Sequence, residues 1–242
     1  VYFYGVTRAD TPLPRGIRGV GKPPGEVRTL AAGRLAALVG PAPDGLRARR
    51  RDLQAHQDVL LAVGAAGPVL PTRFGVVAAD DDAVTRPLRA DAAGYEAALD
   101  RVAGRCELNL KASPLEGGLA GLLRDDPRLR RLRQESRRRP GYDVSIRLGE
   151  AVVAGLRRRA AEAAREVAEA LTGMADEVRQ GPDVPGCVLN LSFLVAADRV
   201  ARCRTVFDTL ADRHAGSAEL RLTGPLPCYS FSALPATAPA GA

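Results

Sequence analysis

Apolar positions recur along this chain with two periods, and these sort it into strands and helices. Residues 1–6 are aromatic and β-branched, as a strand prefers. Residues 27–30 and 34–39 read as two more strands, joined by the turn residues Ala31, Ala32 and Gly33. Asp44 stands where it can cap a helix running to about Val63, with Leu46, Leu53, Val59, Leu60 and Val63 facing a core and Gly64 and Gly67 marking its end. The stretch Pro68-Val-Leu-Pro-Thr-Arg-Phe-Gly75 is held extended by two prolines and is too apolar to lie in water, so it reads as a buried crossing segment. A second helix is expected over residues 83–103, through Leu88, Tyr95, Leu99 and Val102.

From Cys106 the pattern changes. Residues 107–111 alternate, with Leu108 and Leu110 on one face. Ser113-Pro-Leu-Glu116 reads as a capping box with proline at the first helical position, and Asp126-Pro127 starts another helix in the same manner. A long helix is expected over residues 144–178. Its seam is Ile146, Gly149, Val153, Leu156, Ala160, Ala163, Val167, Ala170 and Met174, and its partner is the Leu-rich segment Leu119, Leu122, Leu123, Leu129 and Leu132. That predicts a helical hairpin. Residues 188–195 form the clearest strand. Asp198 caps a helix through Val200, Cys203, Phe207 and Leu210, and residues 219–223 form a last strand that 226–231 extend.

The order of these elements predicts an α+β protein of two domains: an N-terminal α+β domain over 1–104, and a C-terminal modified ferredoxin-like fold with a long helical hairpin over 105–232. Residues 233–242 are Ala, Pro, Thr and Gly and read as a disordered tail. No apolar run approaches the ~18 residues of a membrane span. No charged-then-apolar leader opens the chain, and Val1 already lies in a strand pattern, so residues are expected ahead of it.

The net charge is +7, and Lys occurs only at Lys22 and Lys111, so the basic character is arginine's. Arg49-Arg50-Arg51, Arg130-Arg131, Arg137-Arg138-Arg139 and Arg157-Arg158-Arg159 form clusters without interleaved aromatics. They read first as a solvated helical face, second as a docking surface for an acidic partner, and not as a nucleic-acid module. Cys106, Cys187, Cys203 and Cys228 include no C-x-x-C pair and no nearby histidine, so reduced thiols are expected and neither a metal nor a cofactor.

One motif suggests chemistry. Gly16-Ile-Arg-Gly-Val-Gly21-Lys22 fits the first part of a phosphate-binding loop, and it supports an alternative reading as a nucleotide-dependent enzyme. The chemistry then needs a Ser or Thr and a helix whose amides meet the phosphates, but Pro23 and Pro24 stand there. His56 has no nucleophile motif beside it and is expected to pack, and no catalytic residue is assigned.

Five pieces, in order, resemble the GvpF/GvpL family of gas vesicle proteins: Val1-Tyr-Phe-Tyr-Gly-Val6, His56 with Val69-Leu-Pro-Thr-Arg-Phe-Gly75, Glu107-Leu-Asn-Leu-Lys111, Asn190-Leu-Ser-Phe-Leu-Val195, and Thr223-Gly-Pro-Leu-Pro-Cys-Tyr-Ser-Phe231. The resemblance implies two α+β domains and a non-enzymatic accessory role at the gas vesicle, in the cytoplasm. It implies contact with the small, very apolar shell protein and with other accessory proteins during assembly. The surface expected to make that contact is a sheet face carrying Asn190, Ser192 and Leu194, with Arg157 and Arg158 suited to acidic groups.

Overall fold

The computed structural model describes residues 1–233. Except for Ala233, the tail read from sequence lies outside the described residues. The chain divides into two compact units: Val1–Glu107 with the segment from Pro225 onward, and Leu108–Gly224. The segment after Gly224, assigned with the second domain on sequence, is thus part of the first unit. No described helix is long and apolar enough to cross a membrane.

The first unit is built on β1 (Tyr2–Arg8), β2 (Arg28–Ala32), β3 (Leu35–Gly40) and β4 (Val69–Pro71), in the order β2-β3-β1-β4 with antiparallel pairing throughout. All six residues of β3 are buried, as a strand covered on both faces must be. One core gathers Tyr2, Tyr4, Leu38 and Val69 of the sheet with Val59, Leu60 and Val63 of α1 (Arg50–Gly64). Gly5 permits the close passage of β4, since a Cβ there would stand 2.5 Å from the Leu70 carbonyl oxygen. α2 (Asp81–Ala90) lies against β2 and β3, and α3 (Ala92–Val102) against β1, β3 and β4.

Sequence and structure differ here in two places. α1 starts at Arg50, with Arg49 as an N-cap that makes no side-chain bond, so Asp44 caps nothing. The helix expected over 83–103 is two helices, because Asp91 leaves helical geometry and its carboxylate caps α3 through the Gly94 amide.

The second unit contains β5 (Arg105–Pro114, from Leu108), α4 (Leu119–Asp125), α5 (Pro127–Arg138), α6 (Tyr142–Thr172), β6 (Glu177–Gln180), β7 (Leu189–Ala196), α7 (Val200–Arg213) and β8 (Ala218–Leu226, to Gly224). The succession is β-α-β-β-α-β, with sheet order β6-β7-β5-β8. Val167, Ala168 and Leu171 of α6 and Cys203 and Leu210 of α7 pack on Leu108, Leu110, Phe193 and Val195. Asp126 caps α5 by accepting from the Arg128 and Leu129 amides, with Pro127 in the first turn. Ser113 and Pro114 instead belong to β5, and α4 begins only at Leu119 behind an uncapped Gly118. α6 ends at Thr172, and the residues read as its last turn form the edge strand β6.

The helical hairpin forms with the expected leucines and with Leu156 of the expected seam, but over the first half of α6 it uses a different face. Leu122, Leu123 and Leu129 pack against Leu148, Ala151, Val152 and Leu156 of α6. Gly155 admits them, since a Cβ there would lie 2.9 Å from Leu122. Of the predicted seam, Ile146, Gly149 and Val153 are exposed instead.

Candidate partner-binding site

The residues expected to meet a partner separate into three environments. Asn190 and Arg157 come together. They line an open hollow of about 620 Å³ together with the loop at 181–187 and with Val188, Leu189 and Leu191. The loop is tied at several points. The Gly181 amide donates to the Asn190 carbonyl (2.9 Å), the Asn190 side-chain amide to the Pro182 carbonyl (2.8 Å), and the Val188 amide to the Ala112 carbonyl (2.8 Å). Pro182 and Pro185 further restrict it. The hollow therefore has a shaped wall: two prolines, Val184 and the start of β7, with Arg157 and Asp183 as its charges.

Ser192 and Leu194 are not open to a partner. They are 2% and 1% exposed. The expected free sheet face is corrected here, because both sides of β7 are buried at these positions. Ser192 instead accepts from Asn109, whose side-chain amide also donates to Asn190 Oδ1 (2.9 Å) and the Leu191 carbonyl (3.1 Å). Asn109 thus fixes the strand that borders the hollow, and sequence reading missed it. The available signal was an amide between Leu108 and Leu110 in one strand and a second amide, Asn190, in another.

Arg158 is drawn to the hairpin. It pairs at 3.4 Å with Asp126. The amide of Leu129, then that of Arg128 and the Arg158 guanidinium, hold the Asp126 carboxyl below its ordinary range.

In the first unit the chemistry-bearing residues serve packing. His56 is buried between the rings of Tyr4 and Tyr229, 5.5 and 6.4 Å away, with Phe74 edge-on. Its Nε2–H donates to the Thr72 carbonyl (3.1 Å), which leaves Nδ1 to accept from the Tyr2 hydroxyl (2.9 Å). Burial pushes the His56 pKa down, offset in part by the Thr72 bond. Burial also pushes the Tyr2 and Tyr229 hydroxyls up to about 12.

The loop at 16–22 is folded but is not a phosphate cradle. Its amides already have acceptors: Gly19 the Gly25 carbonyl, Val20 the Tyr4 hydroxyl, and Gly21 the buried Asp52 carboxylate at 3.1 Å. A carboxylate at that point repels phosphate, and the chain continues into β2 instead of a helix. Mg-ATP is expected to leave the thermal midpoint unchanged; a dose-dependent rise would reinstate the nucleotide reading. Among the described residues no cluster of three or more His, Cys, Asp or Glu side chains could hold a metal. Burial pushes the Cys228 thiol up to about 12, far from a reactive thiolate.

The whole chain can be compared with known proteins. The pattern of the family described as gas vesicle synthesis protein GvpL/GvpF matches residues 1–233. Gas vesicle protein F of Streptomyces sp. (strain CB03234) is 43% identical over 236 residues, covering 95% of this chain and 98% of that one. Gas vesicle protein L of the same strain is 32% identical over 257 residues, covering 96% and 92%. The crystal structures of GvpF from Microcystis aeruginosa and from Anabaena sp. PCC7120 are 22% identical to it, with TM-scores of 0.73 and 0.76 over 96% and 97% of this chain and 98% of each of theirs. Those two share its fold. With a match along the described chain and relatives at this identity, the protein belongs to the GvpL/GvpF family of gas vesicle proteins.

Proposed function

We propose that this protein is an accessory factor in gas vesicle assembly that binds the shell protein and other accessory proteins, and that its contact with the shell protein is the hollow bounded by Arg157 and Asn190. Family membership supports the gas vesicle role. The observation that carries the site is the hollow itself. Its wall combines Val184, Val188, Leu189 and two prolines with one cation, Arg157, and one anion, Asp183, and it is built on a loop anchored by Asn190. Such a wall suits an apolar segment with polar or charged groups at its margin.

Co-purification from vesicle-forming cells tests it. Val184→Asp is expected to reduce capture of the shell protein about tenfold without changing the thermal midpoint, because it places a charge in the apolar wall. Capture unchanged by Val184→Asp but lost with Arg158→Glu would move the contact to the hairpin.

A further inference from the structure

Two observations meet on α6. Tyr142, Ile146 and Val153 stand in the open at 82%, 42% and 57% exposure, with exposed Gly149 between them. Their spacing of four, three and four residues puts them in one stripe, on the side of the helix away from Leu148, Ala151 and Gly155, which face the hairpin. The stripe runs on past Arg157 to half-buried Ala161, and beyond it lie Ala164 and Ala168, which the fold itself buries. These alanines border a groove of about 360 Å³ walled by Val188, Leu189 and Leu191. From Tyr142 to Ala161 this is roughly 30 Å of helix.

The stripe is asymmetric in two respects at once. Its first half carries large side chains and its second half alanines beside a groove. Its first half is flanked by Asp143 and Glu150, its second by Arg157 and Arg165, with Glu169 only at the far end of the groove. Among the described residues neither Glu150 nor Arg157 forms an ion pair. A helix that carries the same pattern and runs the opposite way would set large against small and acid against base. The chain itself supplies that helix.

We propose that α6 of a second copy docks antiparallel along this stripe, giving a two-fold symmetric dimer. With the axis between residues 153 and 154, Glu150 of each copy faces Arg157 of the other. Ile146 faces Ala161 of the other copy, and Tyr142 reaches the groove there beside Arg165. The arginines of α5 do not oppose this pairing. Arg147 reaches Glu135 of α5 at 3.6 Å, which marks that helix as lying round the side of α6. A nucleic acid or an anionic lipid surface fits the stripe less well, because Asp143 and Glu150 border it. One helix-wide strip is smaller than the ~800 Å² per partner of a standard interface, so the dimer dissociates on dilution.

Sedimentation equilibrium of the whole chain tests this. A monomer–dimer equilibrium is expected in the micromolar range. Glu150→Arg and Arg157→Glu should each weaken it about tenfold, since each sets like charges together twice across the axis. An equimolar mixture of the two variants should restore the dimer, because every reversed charge then meets its opposite. Val153→Asp, at an exposed position, should give monomer with an unchanged melting curve. A chain that stays monomeric to about millimolar concentration, a dimer indifferent to both charge reversals, or a mixture that fails to recover would each overturn the proposal.

Discussion

A chain ending at Gly224 is expected to keep the second unit folded and lose the first. Residues 225–233 supply a fully buried Phe231, a buried Cys228, and Tyr229, whose ring stacks on His56. They also satisfy Glu107. That buried carboxylate accepts from the Ser230 amide and the Ser230 hydroxyl, each at 2.7 Å. The Arg101 guanidinium in turn donates to the Phe231 carbonyl. Without this segment a charged group is left buried without these donors, at several kcal/mol, and an aromatic-sized void opens beside it. Phe231→Ala alone should cost ~3–5 kcal/mol, against a whole-unit stability of about 5–15 kcal/mol. Urea unfolding of the shortened chain should show one transition, with the near-ultraviolet signal of Tyr2 and Tyr4 already lost in water. A native tyrosine signal in that chain would show that the segment is dispensable.

Acidification should destabilise the first unit through His56, and His56→Gln should remove that dependence. The imidazole is neutral in the fold. Its Nδ1 accepts from Tyr2, and that hydroxyl already receives the Gly75 amide at 3.1 Å. A second proton on the ring would make the Tyr2 hydroxyl accept from Nδ1 as well as from Gly75 and take away the acceptor of its own proton in a closed aromatic site. The folded pKa is therefore below the ordinary value of about 6.5. The unfolded chain binds this proton first, so the stability is fully present above about pH 6.5 and is lost as pH falls from there toward the folded pKa. The slope is at most ~1.4 kcal/mol per pH unit for one proton. Denaturant midpoints between about pH 7 and pH 5 measure it. His56→Gln should be less stable at neutral pH by about 2–4 kcal/mol, with a flatter profile below it. An equal slope in both proteins would assign the acid sensitivity elsewhere.

The parts of this fold legible in the sequence are those where one residue has one use. Asp126-Pro127 can only start a helix, and α5 begins there. The alternation about Leu108 and Leu110 can only be a strand with one core face, and both leucines are fully buried. Reading failed where two sets of residues competed for one use. α6 carries one apolar stripe through Ile146 and Val153 and another through Leu148 and Val152, and periodicity cannot say which is covered. The leucines of α4 and α5 decide it. Glu177–Gln180 is too short and too polar to compete with the helical pattern before it, and it becomes a strand only by pairing with β7 from Leu191 to Leu194. The site failed for a related reason. Alternation in β7 separates two faces correctly, but it does not report that Ser192 and Leu194 are covered as well. Asn190 and Arg157 meet through a loop whose path no local pattern specifies.

The return of residues 225–233 to the first unit also sets an order of events on the ribosome. The second unit draws on nothing beyond Gly224, whereas Tyr2, Tyr4 and His56 must wait for Tyr229 and Phe231. For that interval the earliest-made strands present an unfinished aromatic core, and nascent-chain chaperones have their substrate there. A message truncated after the second unit would yield a molecule whose best-formed half gives no sign of the defect, and proteolytic surveillance would have to recognise it by its amino-terminal half alone.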